Sequence, residues 1–170
     1  ILTDAVLSDV VLNGADLTGA DLTGTTLTSI VINGDTNLTK AILVGADLGG
    51  DDLTGVDLEK ADLRGADLVG TDLENAILTG ANLGKNGNTA TDLRGATLTG
   101  AKLGKADLSG ANLAKNGDTA ANLTNADLTG AILTGSTLSD VVLNGADLTG
   151  ADLTGATLTR IVINGDTNLT

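Results

Sequence analysis

Aspartate is the residue type in this chain whose spacing could support chemistry. It stands at 16, 21, 47, 52, 57, 62, 67, 72, 92, 107, 127, 147 and 152, each time directly before a leucine or its equivalent. Carboxylates held close together can act as a general acid and base, or can bind a hard cation. A hydrolytic pair also needs a distinct pocket, and nucleophilic catalysis needs a partner base. The chain has no His, Cys or Tyr, and its Ser and Lys residues fall into no triad-like constellation. A carboxylate that recurs without a unique setting points away from an enzyme, so no catalytic or cofactor-binding residue is expected.

Composition narrows the class of molecule. Phe, Trp, Met and Pro are also absent, yet 41% of residues are hydrophobic, nearly all of them Leu, Ala, Ile and Val. A core built without aromatic bulk must be narrow and divided into small uniform slots. The absence of Pro and of a three-residue period excludes collagen. The strict recurrence of Leu argues against disorder, because it can drive burial. A formal charge of −13 repels nucleic acid and anionic membrane and favours cations or basic partners. No run reaches membrane-spanning length and no signal peptide is visible. Without Cys there is no disulfide from which to read a redox compartment.

These residues must be positioned by an element with a period of five. Leu or Ile recurs every five residues from 2 to 32, from 38 to 83, from 93 to 113 and from 123 to 163, with Leu169 closing the series. Two positions earlier stands a small residue, usually Ala, as in Ala15-Asp16-Leu17-Thr18-Gly19. An α-helix would scatter such a pattern around its circumference, and a flat strand would alternate every two residues. A square coil accommodates it. Each pentad forms one side, four sides form a coil of about twenty residues, and coils stack at about 4.8 Å. The central Leu and the small residue point inward. About eight coils would make a rod on the order of 40 Å long.

The A-D/N-L-T-G pattern resembles that of the pentapeptide repeat family, written A(D/N)LXX, over nearly the whole chain. The resemblance implies an all-β fold, a right-handed quadrilateral parallel β-helix. It also implies one possible partner, because the best-known members are acidic rods that imitate DNA and bind gyrase, a topoisomerase.

A longer period overlies the pentads. Residues 1–39 recur as 132–170, an offset of 131, differing only at positions 4, 5, 6, 25 and 29 of the first copy. Outward positions, which the pentad rule leaves free, match as well. The chain thus reads as one continuous solenoid over 1–170, with a tandem unit of 131 residues at 1–131 and the next copy beginning at 132. The ends fall mid-pattern without a terminal helix, which favours a window onto a longer array over a single internal duplication.

Four breaks carry Asn-Gly-Asp/Asn-Thr: Asn33–Thr36, Asn86–Thr89, Asn116–Thr119 and Asn164–Thr167. Loops are expected at 33–37, 84–90, 114–120 and 164–168, since Asn and Gly both tolerate positive φ. Asn88 and Asp118 fall where a Leu is due, and burying them would be costly, so both middle breaks should bulge outward. Removing two five-residue loops and one inserted residue from each unit then leaves six whole coils. Asp35, Asp118 and Asp166 are the candidate Ca²⁺ ligands, although one short loop offers few carboxylates. Otherwise no cofactor or metal is expected.

Residues twenty apart should stack on one face. Asp47 under Asp67 and Asp52 under Asp72 would each raise the other's pKa. Val11 and Val31, and again Val142 and Val162, should form exposed pairs, covered by the adjacent loop or by lateral contact with a neighbouring rod. Asp51 falls at an inward position beside Gly50, where distortion is expected.

Three functions fit. The first is a structural segment of a long extracellular or cell-surface fibre, associating with itself end to end or laterally, with no nucleic-acid partner and no membrane insertion. The second is an acidic DNA-mimic rod binding a topoisomerase in the cytoplasm. The third is an ice-binding solenoid, suggested by the many Thr residues that follow the central Leu.

Overall fold

The computed structural model describes residues 1–169, with residue 170 outside the described set. The chain winds as a four-sided coil in which each side contributes one short parallel bridge to the coil above and below. The third face shows this without a gap: Asp16, Asn37, Asp57, Ile77, Lys102, Asp127, Asp147 and Asn168 bridge in succession. The first face starts at Val6 and Thr26, the second at Val11 and Val31, and the fourth at Asp21 and Ile42.

Pentads away from the breaks make the same set of main-chain hydrogen bonds. In the pentad centred on Leu58, the Leu58 amide donates to Ile77 O at 2.8 Å and the Lys60 amide to Thr79 O at 3.0 Å, both on the next coil. The Ile77 amide donates back to Val56 O at 3.0 Å, and the Ala61 amide closes the corner onto Leu58 O at 3.0 Å. Main-chain polar groups are thereby paired between coils, which allows side chains to be reduced to Leu and Ala inside. Leucines from Leu43 to Leu143 are almost fully enclosed, and the alanines two residues before them are equally buried. Each enclosed Leu contributes about 1.5–3 kcal/mol. At the outer coils the lumen opens, and Leu2, Leu158 and Leu169 are exposed.

The corner requires one residue in the left-handed region, two places after the centre. Glycine fills it most often, as at Gly65 (φ +67°), but Lys40, Lys60, Asn75, Lys105 and Asn125 adopt φ of +57° to +58° at equivalent corners. The corner therefore imposes its conformation on whichever residue arrives. An L-residue there costs roughly 1–2 kcal/mol.

The bridge register carries the bookkeeping of the breaks. Ordinary neighbours such as Asn37 and Asp57 are 20 residues apart. The spacing becomes 21 across the first break (Asp16 to Asn37) and 25 across each middle break (Asp67 to Asp92, Thr97 to Asn122). Asn86–Thr89 and Asn116–Thr119 are two-residue hairpins closed by antiparallel bridges, and Asn88 and Asp118 at their turns are exposed. Only the glycines of these turns, Gly87 (φ +59°) and Gly117 (φ +57°), take positive φ. The asparagines before them, which would also tolerate positive φ, do not adopt it. Along the third face Asp16 reaches Asp147 in six rungs, so these residues, 131 apart, stand in one column.

Because Lys105 makes no ion pair or side-chain hydrogen bond among the described residues, only its corner conformation is at issue, and Lys105→Gly should stabilise the chain. An increase of about 0.5–1 kcal/mol in unfolding free energy, measured by chemical denaturation, is the expected result.

Candidate interaction surface

Outward side chains sit on the four faces and at the corners. Directly before each central Leu, the side-chain oxygen of Asp or Asn accepts the amide of the residue two places on. Asp57 Oδ1 accepts from Glu59 N at 2.9 Å, Asp127 Oδ1 from Thr129 N at 2.9 Å and Asn37 Oδ1 from Thr39 N at 2.9 Å. Every aspartate of the recurring series does this. The reason is local: the amide lies in the turn and has free space beside it, which an Asx-type bond fills. Aspartate and asparagine serve equally, which explains the D/N alternation.

For Asp52 this corrects the reading that its stacked neighbour raises its pKa. Asp52 and Asp72 do stack as neighbours, yet the Thr54 hydroxyl, and then its amide, hold the Asp52 carboxyl below the ordinary value. Asp16, Asp21, Asp147 and Asp152 are lowered the same way by Thr18, Thr23, Thr149 and Thr154. Arg64 lowers Asp62 through a fork with contacts of 2.8 and 2.6 Å.

Asp51 behaves differently. It occupies the inward slot normally held by Ala, is 6% exposed, and its Oδ2 has no hydrogen-bond partner. Burial raises its pKa to about 6, partly offset by the amides of Ser29 and Ile30, with Asp47 adding to the rise. Its position explains the distortion expected beside Gly50. Val11 bridges Val31 and Asp52 bridges Asp72, but no bridge joins Val31 to Asp52. The residue inserted before Thr36 interrupts the ladder there, and the carboxylate faces the amides the interruption leaves. Nothing in the sequence except its inward register marks this role.

Hydroxyls deal with the other inward polar positions. Thr25, Thr71 and Ser136 donate to Leu carbonyls at 2.7–2.8 Å. Thr91, fully buried at the foot of the first hairpin, accepts from Gly65 N at 2.9 Å and lies 2.8 Å from Gly84 O and 3.0 Å from Leu63 O. The hairpins lean over corner glycines of the coil below: a Cβ at Gly65 would lie 2.9 Å from Asn86 Cβ, and one at Gly95 would lie 3.0 Å from Asn116 Cβ. They flank the first face, the first entering it from Asn82 to Asp92 and the second leaving it from Asn112 to Asn122.

Val11 and Val31 form one exposed pair on the second face, 66% and 49% exposed. The adjacent break does not cover them. Val142 and Val162 form the corresponding pair six rungs on, with Val162 exposed and Val142 half-buried. Asp35, Asp118 and Asp166 are exposed and sit on separate turns. Among the described residues no group of three or more His, Cys, Asp or Glu side chains is placed to hold a metal ion, and no helix is long and apolar enough to cross a membrane. A groove of about 370 Å³ runs along the fourth face past Arg64, Asn82, Lys85, Asp107, Ser109 and Thr134. Its Ser109 hydroxyl donates to Asp107, and its Arg64 is committed to Asp62, so the groove presents no activated nucleophile.

A family profile described as Pentapeptide repeats matches in eight copies over residues 1–29, 34–68, 57–85, 91–116 and 121–160. Among solved structures, HetL from the cyanobacterium Nostoc sp. strain PCC 7120, a pentapeptide repeat protein involved in heterocyst differentiation regulation, is 33% identical over 95% of this chain and 88% of its own, with a TM-score of 0.34. QnrB1, a plasmid-mediated fluoroquinolone resistance protein, is 18% identical over 94% of each chain, with a TM-score of 0.30. Rfr23 from the cyanobacterium Cyanothece 51142 is 23% identical over 99% of this chain and 90% of its own, with a TM-score of 0.25. No curated protein matches.

Two substitutions test these assignments. The pKa of Asp51 is raised in the fold, so its penalty is fully present above about pH 6 and disappears as pH falls towards the unfolded carboxyl value. Asp51→Asn, which removes the charge but keeps an acceptor for the Ser29 and Ile30 amides, should stabilise the chain by about 1–3 kcal/mol near neutrality and progressively less in acid. Thermal melts across that range would show the two curves converging. Thr91→Val keeps the shape but removes the nearer of the two acceptors of the Gly65 amide, leaving Gly84 O at 3.3 Å, and should cost about 0.5–1.5 kcal/mol by denaturant titration.

Proposed function

Because the chain belongs to the pentapeptide repeat family, whose fold is a right-handed quadrilateral β-helix, we propose that it is a structural segment of a long repetitive fibre, extracellular or on a cell surface. The observation that carries this reading is the relation between the 131-residue period and the coil. Each unit spans six rungs, and on the first, third and fourth faces unbroken bridges carry Val6 to Thr137, Asp16 to Asp147 and Asp21 to Asp152, each 131 residues on. A solenoid whose units superpose without rotation extends as a straight rod carrying the same faces at a fixed interval. Its function is mechanical: main-chain pairing along the axis gives stiffness, and the carboxylate-rich surface keeps rods apart in solution. Self-association, end to end or through the exposed valine pairs, belongs to this proposal, as does the absence of catalytic and cofactor roles.

Net charge favours a second reading. At −13 the rod could imitate the phosphate field of DNA and engage a topoisomerase. Nothing observed supports the ice-binding alternative, since every face interrupts its hydroxyls after the centre with other residues, such as Val69 and Arg94 on the first, Glu74 on the second, Glu59 and Gly104 on the third, and Val44 and Arg64 on the fourth.

Electron microscopy of the native material separates the two. The fibre reading expects thin filaments with an axial repeat of six coil spacings, about 29 Å. Short discrete particles that inhibit gyrase supercoiling would overturn it in favour of the second.

A further inference from the structure

Six Asn-Gly steps occur in the chain, at Asn13, Asn33, Asn86, Asn116, Asn144 and Asn164. They have the same dipeptide chemistry but different surroundings. The Gly14 amide donates to Asn33 Oδ1 at 3.1 Å, and the Gly145 amide to Thr167 Oγ1 at 3.1 Å. The Asn33 side chain is held by the Gly14 amide, the Thr36 hydroxyl and the Asp35 carboxylate. At Asn86 and Asn116 both restraints are absent. Their side-chain amides make no hydrogen bond, the Gly87 and Gly117 amides donate to no acceptor among the described residues, and the hairpins are exposed from Lys85 to Thr89 and from Lys115 to Thr119. Asn164 meets the same conditions.

We propose that Asn86, Asn116 and Asn164 are sites of spontaneous covalent modification, by deamidation through a cyclic imide, and that the fold protects Asn13, Asn33 and Asn144. Hydroxide removes the proton from the following glycine amide. That nitrogen attacks the Asn Cγ and a C–N bond forms; the Cγ–Nδ2 bond then breaks, and the side-chain nitrogen takes a proton from water, leaves as ammonia and regenerates hydroxide. Water then opens the imide at either carbonyl, giving aspartate or isoaspartate. No electrons are exchanged, and water and hydroxide are the only co-reactants. Glycine places no side chain in the way of the attack. Two main-chain hydrogen bonds between Asn86 and Thr89, at 2.8 and 3.0 Å, must open first, and such local opening of an exposed turn needs no disturbance of the coil. At Gly14 and Gly145 the nucleophilic nitrogen is tied to another segment of the solenoid. At Asn33 the electrophile is tied. Modification is thereby directed to exposed turns: at Asn86 and Asn116 each event adds a negative charge beside the first face, and at Asn164 between the second face and the third.

The test is peptide mapping by mass spectrometry of the folded chain during incubation at mildly alkaline pH, with isoaspartyl methyltransferase labelling to identify the product. Asn86, Asn116 and Asn164 should convert about tenfold faster than the other three, and the six rates should converge in denaturant. Equal rates in the folded chain, or a spread that persists in denaturant, would overturn the proposal. Asn33→Ala supplies an internal control, because it frees the Gly14 amide. Conversion at Asn13 should then rise several-fold while Asn86 is unchanged, and an unaltered Asn13 would refute the tie as the cause.

Discussion

Every amide that faces along the axis must find a carbonyl on the adjacent coil, and this pairing governs the rest of the molecule. It fixes four sides of five residues, since a side of any other length would carry the next amide past its acceptor. It sets the coil spacing, which in turn brings each Leu into contact with its equivalents above and below. The lumen that results admits Leu and Ala and little else. The same pairing makes a buried carboxylate conspicuous, because Asp51 stands where the Val31 to Asp52 bridge is missing.

Departures from the pentad are resolved so that the ladder survives them. The middle breaks leave the coil at a corner, fold as a hairpin on themselves and return to the same corner, so their five residues do not alter the column below. The hairpin Asn86–Thr89 uses its own two hydrogen bonds, and Thr91 at its foot gives the Gly65 amide a nearer acceptor, at 2.9 Å, than Gly84 O at 3.3 Å. The single inserted residue before Thr36 cannot form a closed loop, and there the ladder itself is disturbed. An insertion long enough to satisfy its own main chain is better tolerated than one too short to do so.

The acidic surface has two origins. Its charge arises from aspartates whose position is set by an amide in the next turn, so the carboxylates are part of the folding pattern before they are a surface. Asparagine at 37, 82, 112 and 122 makes the same bond without charge. The choice between Asp and Asn is therefore free to respond to what the outside of the rod must do. A carboxylate already accepting an amide is also a poor candidate for proton transfer, which is consistent with a surface suited to repulsion and contact.

The sequence by itself determined the fold, the position of each inward side chain, the 131-residue period and the sites of the breaks. It could do so because a solenoid repeats one local environment, and a five-residue pattern read at Leu58 holds at Leu103. It placed Asn88 and Asp118 outside by the cost of burying them. It did not reveal that the outward aspartates are bonded to their own turns, and it assigned Asp52 the wrong direction of pKa change, because spacing shows which charges are neighbours and not which donors reach them first. It did not show that Val11 and Val31 remain uncovered. Only the tertiary structure decided these points, along with the role of Asp51 and the unequal restraint of the six Asn-Gly steps. Each depends on which groups of adjacent coils come within hydrogen-bonding distance, a property of contacts between residues about twenty positions apart that no local pattern records.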